Sequence, residues 1–345
     1  MAATPRLIAL KTAVPPYRID QADAGRRAAH LFANHPEVLR LLSVFQNTGI
    51  ETRYSCVPID WYLEPHGWKE RTNLYLQNSV DLLEKVANDC LAEAGLGSED
   101  IDAIVVASTT GIATPSLDAL VIERMGLRRE IERLPMFGFG CAGGVSGLAR
   151  AADIARARMG SRVLFLVVEL CALTFRKDDV SKSNIVAAAL FGDGAAGAII
   201  SSEGDGPVVA ASGSYTWPNS LDVMGWEVEE DGLKARFAQS IPSLVANDFR
   251  NIAAGFLRKN DIARGSIEAF ACHPGGAKVL DALEDALNLP HGALKDSRSV
   301  LRDYGNMSAA TALFVLQRMR ARGEGRRCLM SALGPGFSAA FLMLE

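Results

Sequence analysis

The stretch LPMFGFGCAGGVSGLARAADIARAR, residues 134–158, decides how this chain is read. An apolar approach meets a Gly-Phe-Gly-Cys turn at Gly138, Phe139, Gly140 and Cys141. Beyond it Gly143, Gly144 and Gly147 lie among Ala, Val and Leu in a helical pattern that runs out to Arg158. A strand, a sharp glycine turn, one cysteine and a helix hold a sulfur at a helix N-terminus. There the unpaired N–H groups and the positive end of the helix dipole favour the thiolate over the thiol. The small residues past the cysteine let the helix be buried against close neighbours. Cys141 is therefore the candidate nucleophile. By spacing alone, Gly138, Gly140 and Gly143 also match the phosphate-cradling G-x-G-x-x-G loop. That reading needs a βαβ unit at the N-terminus and a ribose-binding acid ~20 residues on, whereas this loop lies deep in the chain and the strand end at Glu169 is farther away.

A chain of 345 residues suits two domains or one large duplicated unit. With 49% hydrophobic and 22% charged residues and a net charge of −4, it carries no electrostatic footprint for nucleic acid or an anionic membrane. No apolar run approaches the ~18 residues of a membrane span. The opening MAATPRLIALKTAVPPYRID lacks the apolar core of a secretory signal. Cys56, Cys90, Cys141, Cys171, Cys272 and Cys328 are far apart and form no CxxC pair, which suggests neither a disulfide framework nor a zinc cage. The expectation is a reduced, cytoplasmic protein with no metal site.

In chain order the pattern predicts a strand over Leu7–Leu10, a helix over Gln21–Phe45, irregular structure over Asn47–Trp68 and a helix over Asn73–Ala94 that ends at Gly95. IDAIVVA from Ile101 and RVLFLVVE from Arg162 read as buried strands, and Ala195–Ile200 as a third, entered through FGDG at Phe191–Gly194. A helix is expected over Leu117–Met125.

The second half repeats this order. IDAIVVAS at Ile101 is echoed by IEAFACHP at Ile267, GCAGGVSGL at Gly140 by GNMSAATAL at Gly305, RARMGSRVLFL at Arg156 by RARGEGRRCLM at Arg320, and GDGAAGAII at Gly192 by GPGFSAAFL at Gly334. The chain therefore reads as α/β with two duplicated halves, residues 1–205 and 206–345, and a middle segment of about Ser202–Arg264 that inserts elements of its own. Two related halves facing each other bring their equivalent strand-to-helix turns to a shared interface. Cys141 and Asn306 occupy equivalent turns, and His273 ends the strand equivalent to the one ending near Ala107, where open αβ sheets place their sites. Cysteine, histidine and asparagine form a set in which imidazole stabilises a thiolate and imidazole and amide both donate to an oxyanion. Structural alternatives stand beside this: a buried cysteine as a small packing residue, and Asn306 as a helix cap. His30, His35, His66 and His291 have polar neighbours and read as surface residues.

Over essentially its whole length the sequence resembles the type III polyketide synthases of the thiolase superfamily. The match rests on GCAGG around Cys141, ELCALTFR at Glu169–Arg176, LFGDGAA at Leu190–Ala196, CHPGG around His273, YGNMSAA around Asn306 and GPGF at Gly334–Phe337. The resemblance implies a five-layered αβαβα thiolase-like fold, a homodimer, and a Cys141–His273–Asn306 triad. It also implies Phe191 at the mouth between a CoA tunnel and the reaction cavity. By similarity Cys171, Thr174, Trp226, Ala235 and Ser308 line or neighbour the cavity, and Thr114 reaches into the partner subunit's cavity. Plant relatives carry a gating phenylalanine at the place of Ala235 and a glycine at that of Trp226. The set here is more like bacterial enzymes that extend fatty acyl-CoA starters into alkylpyrones or alkylresorcinols. Of the basic residues that hold CoA phosphates in plant relatives, Asn47 and Thr52 stand at two places and only Arg53 remains.

The implied chemistry needs acyl-CoA and malonyl-CoA as substrates and no tightly bound cofactor. Cys141 takes the starter as a thioester, and His273 and Asn306 stabilise the enolate formed when malonyl-CoA loses CO2. A Claisen condensation follows, repeats, and ends in cyclisation. A single-cycle ketoacyl synthase served by an acyl carrier protein shares the triad, and a non-catalytic thiolase-fold binding subunit is the alternative from another class.

Overall fold

A computed structural model describes residues 3–345. Thirteen strands lie within them: β1 Arg6–Ala13, β2 Tyr17–Asp20, β3 Thr52–Ser55, β4 Ala103–Ala107, β5 Glu132–Met136, β6 Arg162–Leu170, β7 Asp193–Ser201, β8 Val209–Thr216, β9 Met224–Glu229, β10 Gly232–Phe237, β11 Ala269–Cys272, β12 Cys328–Gly334 and β13 Ser338–Leu344. One sheet has the order β1-β7-β6-β4-β5 and the other β11-β12-β13-β8, and two short ribbons, β2 with β3 and β9 with β10, lie outside them. The sheets are copies of one arrangement. β1, β7, β6 and β4 correspond to β8, β13, β12 and β11, with two antiparallel junctions followed by a parallel one in each. Only the first sheet carries a further parallel edge strand, β5.

The strands are apolar on both faces because both faces are covered. In β6, Val163, Phe165 and Val167 face a central helical layer, while Leu164, Leu166 and Val168 face an outer one. The central layer is the Gly143–Ala157 helix of the first half packed with the Thr311–Arg320 helix of the second. Helices Trp68–Ala94 and Leu117–Met125 cover the outside of the first sheet, and Arg250–Lys259, Ala277–Ala286 and Lys295–Tyr304 cover the outside of the second. The result is a five-layered αβαβα fold of the thiolase kind. The glycines after Cys141 make the central layer possible: a Cβ on Gly144 would fall 2.1 Å from the Ala309 carbonyl oxygen.

Three expectations are corrected. The helix predicted over Gln21–Phe45 is three pieces, Gln21–Leu31, Pro36–Leu39 and Val44–Asn47. Pro36 lacks an N–H and pushes His35 out of the helical region, so a continuous helix stops there. The middle segment is not all insertion: β8 completes the second sheet as the counterpart of β1, and the β9–β10 hairpin with the helices over 241–259 is the added part. His66 is not a surface residue. Its ring stacks on Trp61 at 3.7 Å between centroids and meets Glu70. No helix among the described residues is long and apolar enough to cross a membrane.

Candidate active site

Cys141 lies in a single 3-10 turn, Gly140–Ala142, that runs straight into the Gly143–Ala157 helix. Gly140 holds φ at +47°, and a Cβ there would meet the Pro335 ring at 2.5 Å, so this position needs glycine twice over. Its N–H donates to Thr109 Oγ1 at 3.0 Å, which ties the turn to the loop after β4. Pro335 belongs to the GPGF segment of the second half, so the nucleophile turn is closed by both copies.

Asn306 stands in the equivalent turn. Its N–H donates to the Leu190 carbonyl at 2.8 Å, and its own carbonyl accepts from Gly192 N at 3.0 Å, a bridge that straddles Phe191. The side-chain amide has a fixed orientation: Oδ1 accepts from Ser308 N at 2.8 Å, leaving Nδ2 as the donor directed elsewhere, including to the Gly275 carbonyl at 3.3 Å. Gly275 lies in the turn after His273, so the asparagine and histidine turns are joined through this bond. Ser308 adopts φ +46°, an unusual conformation for a non-glycine residue, and is buried at the same place.

The electrostatics are those of a dry site. Burial pushes the Cys141 thiol up to about 12; hydrogen bonding from Ser308 and Asn306 opposes this, and nearby Glu169 adds to it. Desolvation outweighs the helix N-terminus, so the resting group is the thiol and not the thiolate expected from the turn alone. Burial alone depresses His273 to about 3, and neither ring nitrogen has a hydrogen-bond partner within the chain. The imidazole is thus neutral, one nitrogen able to accept a proton and the other to donate one.

Two acids that the sequence reading left unused stand behind the site. Glu169, at the end of β6, accepts from Thr109 N and Thr110 N, each at 3.1 Å, and from Ser308 Oγ at 3.4 Å; burial raises it to about 7. Asp193, opening β7, accepts from Cys56 N at 2.9 Å and Ala172 N at 2.8 Å and is likewise raised to about 7 by burial. Both lay within quoted motifs. The available signal was a carboxylate at the end or start of a strand that is otherwise wholly buried.

Of the remaining expected residues, Cys171, Phe191 and Ala235 form one buried cluster, with Trp226 and Phe237 packed on it. The Phe191 ring lies 5.9 Å from that of Trp226 and 5.6 Å from that of Phe237. Trp226 and Ala235 are direct cross-strand partners in the β9–β10 hairpin, so a large and a small side chain share one place on the sheet. Space left by the small residue at 235 is therefore occupied by aromatic rings from neighbouring positions. Thr174 donates to the Cys171 carbonyl at 2.7 Å. A cavity of about 90 Å³ is lined by Arg53, Cys171, Thr174 and Phe191 together with Ala24, Ala28, Leu31, Phe45 and Tyr62; Cys141, His273 and Asn306 do not line it. Thr114 is exposed and does not line this cavity. Arg53 is only 7% exposed and gives Nη1 to the Phe191 carbonyl at 2.8 Å, which is not how a cation gripping a solvent-borne phosphate is placed.

Comparison with known proteins agrees with this geometry. Residues 59–204 match the N-terminal domain of chalcone and stilbene synthases, and residues 208–344 match their C-terminal domain. The chain is 37% identical to a 1,3,6,8-tetrahydroxynaphthalene synthase of Streptomyces peucetius subsp. caesius over 98% of this chain and 92% of the relative. It is 35% identical to a putative chalcone synthase of Bacillus subtilis (strain 168) over 98% of both chains. The crystal structure of the 1,3,6,8-tetrahydroxynaphthalene synthase of Streptomyces coelicolor A3(2), a bacterial type III polyketide synthase, superposes with a TM-score of 0.94 at 27% identity, covering 98% of each chain. With both halves matched and the fold shared from end to end, this chain belongs to the chalcone and stilbene synthase family, the type III polyketide synthases.

Proposed function

We propose that the protein is an iterative condensing acyltransferase in which Cys141 is the nucleophile and His273 and Asn306 bind the developing enolate. The observation that carries this reading is the meeting of Cys141 with the Asn306 turn from the opposite half, whose amide also bonds Gly275 in the turn after His273, a buried imidazole with no hydrogen-bond partner within the chain. Proton transfer from the thiol to His273 makes a thiolate–imidazolium pair, each charge stabilising the other where water does not. The thiolate attacks the carbonyl carbon of the starter acyl-CoA, CoA leaves as the thiol, and the acyl group stays on sulfur. Malonyl-CoA then loses CO2, and its thioester oxygen carries the enolate charge against donors from Asn306 Nδ2 and His273. The enolate carbon attacks the Cys141 thioester and expels the sulfur, and the extended chain is returned to it for the next cycle.

An aliphatic starter is supported by the largely apolar lining of Ala24, Ala28, Leu31, Phe45 and Tyr62 in the cavity that Phe191 and Cys171 also line. The chain then cyclises to a pyrone or resorcinol. We place the boundary between the halves at 205/206, in the gap between β7 and β8. CoA thioesters are substrates, and no bound cofactor enters the steps. A homodimer, with Thr114 presented to the partner's cavity, suits the exposed Thr114 loop, and six free, buried cysteines suit the cytoplasm.

Incubation with a panel of acyl-CoA starters of graded length and labelled malonyl-CoA, followed by mass spectrometry, tests the proposal. Multiply extended, cyclised products from aliphatic starters are expected. A single β-keto product, dependence on a carrier protein, or no malonyl decarboxylation overturns it.

A further inference from the structure

Arg53 is a cation buried where charge is expensive. Burial lowers it to about 10, and Nε has no hydrogen-bond partner. The nearest buried carboxylate, Asp193, engages both its oxygens with the N–H groups of Cys56 and Ala172, and no ion pair joins it to the guanidinium among the described residues. A buried charge held this way is poor value for stability: an apolar side chain of similar volume is commonly neutral or stabilising at such a position. Something other than stability keeps an arginine there.

Its surroundings say what. The Nη1 donor takes the Phe191 carbonyl, while the groups on either side of Phe191, the Leu190 carbonyl and the Gly192 N–H, are taken by the Asn306 backbone. The stem presses on the same junction, with the Arg53 Cβ 3.2 Å from a Cβ built on Gly192 and 3.4 Å from one built on Gly305. Arg53 thus bonds Phe191 and stands where any side chain on the residue after it or on the residue before Asn306 would fall.

We propose that Arg53 is a positioning residue for the condensing site: by clamping the Phe191 carbonyl against the Leu190–Asn306 bridge, it sets the Asn306 amide and the Phe191 ring in the register that enolate formation needs. It replaces the role of phosphate grip expected for this residue, and it rests on the condensing function proposed above. Without the guanidinium, the Phe191 carbonyl becomes a buried acceptor with no partner, and the strand segment shifts to reach one. The bridged Asn306 moves with it, and a donor displaced by even ~1 Å loses much of its hold on an oxyanion.

The test compares wild type with Arg53→Met and Arg53→Gln in malonyl-CoA decarboxylation and thermal melting. The expected result is a kcat at least about 30-fold lower with KM within about threefold, in variants that still fold and melt cooperatively. A structural role alone predicts a lower melting temperature with kcat kept in the folded fraction. Either folded variant retaining kcat within about threefold of wild type overturns the inference, and if Arg53→Met does not fold, Arg53→Gln carries the decision. Wild-type enzyme that fails to decarboxylate malonyl-CoA overturns the functional reading instead, so the two failures are told apart.

Discussion

The two equivalent turns, Gly140–Cys141 and Gly305–Asn306, share a backbone course and present different side chains. Each follows a glycine at positive φ and leads through a 3-10 turn into a central helix. The first presents a sulfur, closed over by Pro335 of the other half. The second presents an amide whose orientation is fixed by Ser308 N and whose backbone is bridged to Phe191 of the other half. The same backbone geometry thus aims a different side chain at the interface in each half. Each turn makes contacts with the opposite half, Pro335 at the first and Phe191 at the second.

The comparison can be broken most severely at the sulfur. Cys141→Ala should lower condensation at least about 10³-fold and abolish the acyl-enzyme mass shift, while malonyl-CoA decarboxylation, which depends on the other turn, persists. Asn306→Ala should do the reverse: decarboxylation falls about 10²-fold, with Cys141 still acylated by a starter, as read by intact-protein mass spectrometry. If both variants lose both activities equally, the division of labour between the turns is wrong. The packing that brings the turns together is tested by Gly144→Leu, whose side chain has no room beside the Ala309 carbonyl; a loss of at least about 1–3 kcal/mol in denaturant unfolding is expected. Trp226→Gly removes a ring from Phe191 and should shift starter preference toward bulkier acyl-CoAs by about 10-fold in relative kcat/KM.

The smallest effect concerns pH. Glu169 ionises near 4.5 when exposed but near 7 in the fold, and Asp193 moves from 3.8 to about 7, burial being the main cause in both. An acid whose pKa is raised on folding favours the fold while protonated, so this contribution is lost as pH rises from about 4 through 7. Glu169→Gln removes the Glu169 share, and the difference in melting temperature between pH 5 and pH 8 should narrow. An unchanged difference would place the Glu169 carboxyl in contact with water.

Much of the architecture was legible in the chain. The echo of IDAIVVAS in IEAFACHP and of GCAGGVSGL in GNMSAATAL predicted two copies, and the sheets correspond strand for strand in order and pairing sense, with β5 as the addition. Apolar runs such as RVLFLVVE predicted strands covered on both faces because no face of them tolerates water. The break at Pro36, the role of β8 and the packing of His66 on Trp61 were not legible, because each depends on a partner distant in sequence or on competition between a helix and its tertiary surroundings.

The sequence by itself determined the duplication, the buried strands and the three side chains suited to one reaction, since period and residue chemistry are local properties written in order along the chain. Only the tertiary structure decided their state. Whether Cys141 rests as thiol or thiolate, whether Arg53 meets solvent or the Phe191 carbonyl, and whether Ala235 leaves a hollow or is filled by Trp226 all turn on desolvation and on contacts across the two halves. Those energies arise when distant segments exclude water together, and no single stretch of chain carries them.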